Sequence, residues 1–238
     1  MWPFKKNLVW EYITLHITPY NTFEASYRLF QTVEYWPKGT TFVSVVDPGV
    51  GSSRKSVVAL TKTGQYIVTP DNGTLSYIKK DVGIVAVREI SEVENRCSNT
   101  ELSYTFHGRD VYAYTGAKLA SGHISFEEVG PELPVDKILE FPVVETIIEE
   151  NLVRGAIDIL DVRFGSLWTS ITRDDFYALE PNFGDRFEVT IFNNDMLVYQ
   201  NQVTYGKSFA DVRIGQPIIY INSLYRVGLA INQGSFAK

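Results

Sequence analysis

Val43 to Arg54 reads V-S-V-V-D-P-G-V-G-S-S-R. Its opening V-S-V-V is a short β-branched run, the pattern of a buried strand. Asp47 falls where that strand ends, and Pro48 stops the ladder. Gly49 and Gly51 then allow a turn that most side chains forbid. Arg54 lies seven positions beyond the aspartate, far enough for the loop to fold back and join guanidinium to carboxylate. Ligands of open α/β sheets bind at the carboxyl ends of strands, so a site fits here. By themselves the same residues read equally well as an Asp-Pro turn with a surface arginine.

Working outward from this stretch, the chain alternates helix and strand. Asn21 with Glu24 forms a capping box, and Phe23, Tyr27, Phe30 and Val33 recur at near-helical spacing. This predicts a helix from Thr22 to about Val33, ended by Trp36-Pro37-Lys38-Gly39. Thr41 to Val46 is then the central strand. Lys55 to Leu60 and Tyr66 to Thr69 are strands joined at Lys62-Thr63-Gly64, and Ile84 to Glu89 is another. Leu8 to Ile17 alternates loosely enough for a partial strand. Pro70-Asp71-Asn72-Gly73 reads as turn chemistry, and Glu92 to Glu101 as a polar loop.

A second focus is Thr105-Phe106-His107-Gly108-Arg109-Asp110, opening a helix that runs to about Leu119. His107 sits at the helix mouth, where the macrodipole favours neutral imidazole and welcomes an anion. His16 and His123 have no such setting and read as structural. Leu133 to Val144, with two prolines, reads as linker. Beyond it come short strands at Leu152 to Val162, Ser166 to Ile171, Arg186 to Phe192, Met196 to Gln202, Pro217 to Ile221 and Arg226 to Ile231. A helical turn falls near Asp174 to Leu179, and a tight hairpin turn at Asn193-Asn194-Asp195. The predicted fold is an α/β domain with a central mixed sheet over 1–138, a linker over 139–149, and a small, mostly antiparallel β-barrel domain over 150–238.

Composition narrows the classes. The chain has 238 residues, 45% of them hydrophobic, and a net charge of −6. That balance gives no general affinity for nucleic acid or an anionic membrane. Cys97 is the one cysteine, so no intrachain disulfide forms, which fits a reducing cytoplasm. The amino terminus has no long apolar core, and no run approaches a membrane span. Dinucleotide, P-loop, HExxH zinc and serine-elbow motifs are all missing, and three scattered histidines with one cysteine argue against a metal centre.

The sequence V-V-D-P-G-V-G with Arg54, then P-D-N-G and F-H-G-R-D, precedes a β region carrying F-G-S-L-W-T-S-I and Y-I-N-S. In this order, from about Ile13 to Ala237, these motifs resemble the adenosine-forming S-adenosylmethionine (SAM) hydrolases, or SAM hydroxide adenosyltransferases, relatives of the fluorinating and chlorinating SAM enzymes. The resemblance implies a cytoplasmic homotrimer, with SAM between the first domain of one subunit and the second of its neighbour. It implies hydrolysis to adenosine and methionine with no cofactor or metal, and an Asp-Arg-His triad at Asp47, Arg54 and His107. Retention of the Asp and His, both replaced in the fluorinating relative, points to water rather than halide as nucleophile. Tyr20 and Phe106 fall at pocket-lining positions. In the second domain Asp161 would pair with the methionine ammonium, and Ser223 would hold the carboxylate. Phe164, Trp168 and Phe209 would wall the ligand. Ser166 and Leu224 stand where the fluorinating relative has an Asn and an Arg. By residue type alone, core packing is the better explanation of each aromatic.

One departure bears on activity. The chain passes from M-W-P-F-K-K-N-L-V-W almost directly to I-T-L-H-I-T-P-Y, without the family's T-T-D-F-G-like loop, whose aspartate binds the ribose. It ends where relatives continue into another strand. A missing charge-assisted hydrogen bond is worth about 1.5 to 3 kcal/mol, so the expectation is activity weakened or absent relative to full-length relatives. The alternative is a non-catalytic SAM- or adenosine-binding protein.

Overall fold

The computed structural model describes residues 17–161 and 163–237. The partial strand expected over Leu8 to Ile17 lies outside the described residues except for Ile17, which is not in a strand. The chain divides into two compact units, the first ending at Phe141 and the second starting at Pro142.

In the first unit, helix α1 (Thr22–Val33) starts where the cap signal places it, with Asn21 Oδ1 accepting from Glu24 N at 3.0 Å. The box is not reciprocal. Glu24 instead accepts from Thr18 N at 2.6 Å and Thr18 Oγ1 at 3.1 Å, tying down the chain before the helix. Strands β1 (Thr41–Val43), β2 (Ser56–Thr61), β3 (Tyr66–Pro70), β4 (Ile84–Glu89) and β5 (Glu132–Leu133) form a mixed sheet in the order β1-β3-β2-β4-β5. Only the β1–β3 pair is parallel.

β1 departs from the expectation of a buried central strand over Thr41 to Val46. Among the described strands it is an edge, paired only with β3, and Val43 and Val45 are each 39% exposed. An edge strand keeps one bare flank, so an apolar run in it is not fully covered. The chain stays extended for one more residue, with Ser44 N donating to Val68 O at 3.0 Å, before bending into the Asp47 loop.

Alternate residues of β2 and β3 enter two different cores. Val57, Ala59 and Ile67 pack with Leu29 and Val33 of α1, whereas Val58 and Val68 pack with Val111, Tyr112 and Leu119. The period of two along each strand thus puts a helical layer on both faces. The segment Glu92–Asn95 is a helical turn, α2, where a loop was expected. Residues Gly108–Ala113 form a π-helical stretch that runs into α3 (Tyr114–Ala120).

The second unit opens with a hairpin of β6 (Ile147–Glu149) and β7 (Leu152–Arg154). Strand β8 (Ile157–Asp161) and strand β9 (Ser166–Thr172) follow. A short helix, α4 (Arg173–Tyr177), carries a reciprocal capping box at Thr172 and Asp175. Strands β10 (Arg186–Asn193), β11 (Met196–Tyr205), β12 (Pro217–Ile221) and β13 (Arg226–Ile231) complete a six-stranded sheet ordered β10-β11-β12-β13-β9-β8. This corrects the expected closed barrel. Closure needs a ladder between the outermost strands, and none joins β8 to β10 among the described residues. Alternating strands look the same in sequence whether the sheet closes or stays open.

Candidate active site

Asp47 leaves the end of β1 on a loop that Pro48 and Gly49 turn back, and Arg54 enters β2 from the same loop. The Asn72 amide donates to Val46 O at 2.8 Å, so the P-D-N-G turn holds the backbone just before Asp47. Arg54 Nε lies 2.9 Å from Asp47 Oδ1, and Arg54 Nη2 lies 2.6 Å from Oδ2. The Arg54 and Asp47 side chains are 9% and 6% exposed.

His107 caps the π-helical stretch and is 4% exposed. Its Nδ1 is 2.9 Å from Arg54 Nη2. A guanidinium only donates, so Nδ1 accepts and the neutral ring carries its hydrogen on Nε2. Burial pushes the His107 pKa down, and Arg54 and Arg96 push the same way, while Glu92 and Asp47 act against them. The imidazole is therefore held uncharged.

Four contributors were not singled out from sequence. Arg54 Nη1 donates to Ser56 Oγ at 2.9 Å, and Ser56 Oγ donates to Tyr112 OH at 3.0 Å. Tyr112 OH lies 3.5 Å from Asp47 Oδ2, which closes a ring of donors on the same carboxylate. Burial raises the Tyr112 pKa, so the phenol keeps its proton. On the other side of His107, Arg96 Nη1 is 3.5 Å from Nε2 and 2.7 Å from Glu92 Oε2. Ser56 and Tyr112 sit in a strand and a helix and read as core. Glu92 and Arg96 carried a signal, the i,i+4 spacing of opposite charges.

The other predicted residues are placed as follows. Tyr20 is 79% exposed with φ of 68°. Phe106 is exposed, and the Arg109 guanidinium lies 4.9 Å from its ring centroid. In the second unit, Asp161 and Ser166 are buried and face each other across β8 and β9, flanking the turn that holds exposed Phe164. Trp168 Nε1 donates to Tyr220 OH at 3.2 Å, and Phe209 meets the Tyr220 ring edge-on at 5.1 Å. Tyr220 thus joins two predicted residues and was itself missed. Ser223 is exposed in the β12–β13 turn, with Leu224 beside it half-buried.

Comparison with known proteins gives a consistent set. The family model for the SAM hydroxide adenosyltransferase N-terminal domain matches residues 5–130, and that for the C-terminal domain matches residues 155–238. A protein of Methanocaldococcus jannaschii named (R)-S-adenosyl-L-methionine hydrolase is 34% identical over 68% of this chain and 54% of its own length. A protein of Actinopolyspora mzabensis named fluorinase is 27% identical over 92% of this chain and 79% of its own. The crystal structure of a conserved protein from Thermotoga maritima superposes with a TM-score of 0.85 at 33% identity, covering 94% of this chain and 81% of that one.

Proposed function

We propose that this chain, which belongs to the SAM hydroxide adenosyltransferase family, hydrolyses S-adenosylmethionine to adenosine and methionine. The observation that carries the reading is the buried bridge of Arg54 between Asp47 and His107. A sulfonium is already a good leaving group, so displacement at the ribose 5′ carbon needs no general acid. What it needs is an oxygen nucleophile in line with the carbon–sulfur bond.

In this reading a water oxygen bonds to the 5′ carbon as the carbon–sulfur bond breaks, and that bond's electron pair leaves on the methionine sulfur. The water proton passes to His107, which is kept neutral and able to take it. The lone pair on Nδ1 is the one Arg54 occupies, so proton transfer exchanges that hydrogen bond for the one from water. Arg54 then faces the developing hydroxide, and Asp47 keeps the guanidinium in place. In this proposal Tyr20, Phe106, Phe164, Trp168 and Phe209, with Asp161, Ser166 and Ser223, serve substrate binding, and the working assembly is a homotrimer. A cytoplasmic enzyme requiring no metal completes the proposal. Among the described residues no helix is long and apolar enough to cross a membrane.

The test is incubation with SAM and chloride, using each sulfonium epimer because the hydrolase relative's name specifies the (R) form. Adenosine with methionine is the expected product pair, and a His107→Ala variant loses it while still binding SAM. A 5′-halo-adenosine would move the chain to the halogenating side. Binding without any product would leave a SAM-binding protein.

A further inference from the structure

His107 has charged groups on both of its nitrogens, and the proposed mechanism uses only those on the Nδ1 side. On the Nε2 side, Arg96 sits with a 7% exposed side chain, and each nitrogen of its guanidinium is engaged. Nη1 bonds Glu92 Oε2 at 2.7 Å, one helical turn back. Nη2 donates to Ser103 O at 2.6 Å and Thr100 O at 3.2 Å, while Nε reaches Thr100 Oγ1 at 3.2 Å. The Tyr104 ring lies over the guanidinium with its centroid 5.0 Å away. One side chain thus straps the segment from Thr100 to Tyr104 that leads into His107, and presents a cation 3.5 Å from Nε2.

We propose that the Glu92–Arg96 ion pair is a positioning pair for His107, acting on the ring nitrogen opposite the one that Arg54 holds. Arg54 fixes the tautomer, since its N–H needs the Nδ1 lone pair. The hydrogen on Nε2 then faces a second guanidinium, which cannot accept it. The 3.5 Å separation is therefore an electrostatic and steric contact rather than a hydrogen bond. A cation there resists a second proton on the ring, and the Glu92 carboxylate outweighs that resistance. The charged groups facing the imidazole are Arg54 and Asp47 from the β1–β2 side and Glu92 and Arg96 from α2 and its end. Glu92 and Arg96 thus set how readily the ring takes a proton, without touching the side from which Arg54 works.

The inference rests on His107 as proton acceptor, but its test needs no turnover. The chain has three histidines, so their ring nitrogens can be followed by NMR against pH, with His107→Gln assigning the signal. Glu92→Gln should move the His107 midpoint to lower pH, and Arg96→Met should move it to higher pH. A disturbance of packing alone would push both variants the same way, so midpoints that move together, or not at all, overturn the proposal. The acid limb of adenosine formation should follow each midpoint, and a limb that stays put while the midpoints shift removes the pair from the mechanism. Absence of adenosine from the unaltered protein would instead sink the hydrolase reading, with the titration result standing apart from it.

Discussion

Arg54 grips Asp47 through two nitrogens, with Nε 2.9 Å from Oδ1 and Nη2 2.6 Å from Oδ2. Bidentate pairing fixes the plane of the guanidinium as well as its position, and the plane decides whether Nη2 also reaches His107. Asp47→Asn keeps the shape and removes the charge, leaving a nearly buried cation half-held. Breaking one side of such a pair costs about 3–5 kcal/mol. Both the urea midpoint and adenosine formation should fall, the latter by about a hundred-fold or more. An unfolding midpoint equal to that of the unaltered protein would show that the pair carries no stability.

The route from Arg54 through Ser56 and Tyr112 back to Asp47 should behave as one unit. Tyr112→Phe leaves Ser56 Oγ without its acceptor in a buried place, at about 1–3 kcal/mol. Ser56→Ala removes the middle of the same chain. Because the two share partners, the double variant should lose less stability than the sum of the single losses. Simple additivity in a urea-unfolding cycle would mean the hydrogen bonds act independently.

How much of this could be read from the sequence depends on whether the signal was local. The start of helix α1 was legible because Asn21 caps it by accepting from Glu24 N within the first turn. The β2–β3 hairpin was legible because Gly64, at a φ of 92°, marks its turn. β1 was not, because an apolar run carries no mark of whether a second strand flanks it. Closure of the second sheet depends on pairing between distant strands, which alternation does not encode. At the candidate site, Asp47, Arg54 and His107 stood out through glycine-rich loops and the family resemblance. Ser56 and Tyr112 did not, since a serine in a strand and a tyrosine in a helix look like ordinary packing. Glu92 and Arg96 showed an i,i+4 charge spacing, but within a polar stretch that reads as loop, and nothing local placed it against His107.

Stability should depend on pH through His107. Burial lowers its pKa below the ordinary value of 6.5. In the window between the lowered folded value and 6.5, unfolded chains bind a proton that folded ones refuse. The folded state therefore loses stability as pH falls through that window, and is undisturbed by this group above it. Urea unfolding of His107→Gln should lack this part of the decline while sharing every other. Parallel stability curves for the two proteins, from about pH 7.5 to about pH 5, would show that the histidine contributes nothing to it.

Asp71 should give the opposite sign. Burial raises its pKa, against the Leu139 N–H, Lys55 and Lys79, which lower it. Its Oδ1 accepts from Leu139 N at 3.0 Å, so the carboxyl has a structural task that does not need a charge. With the folded pKa above the unfolded one, the group's contribution is fully present below the ordinary value of 3.8 and is lost as pH rises through the folded value. At neutral pH the buried charge is a cost. Asp71→Asn keeps an oxygen for Leu139 N and discards that charge, so its advantage over the unaltered protein should grow between about pH 4 and about pH 7. Should the variant instead lose ground as pH rises, the Asp71 charge would be stabilising the fold, and Lys55 and Lys79 would outweigh burial.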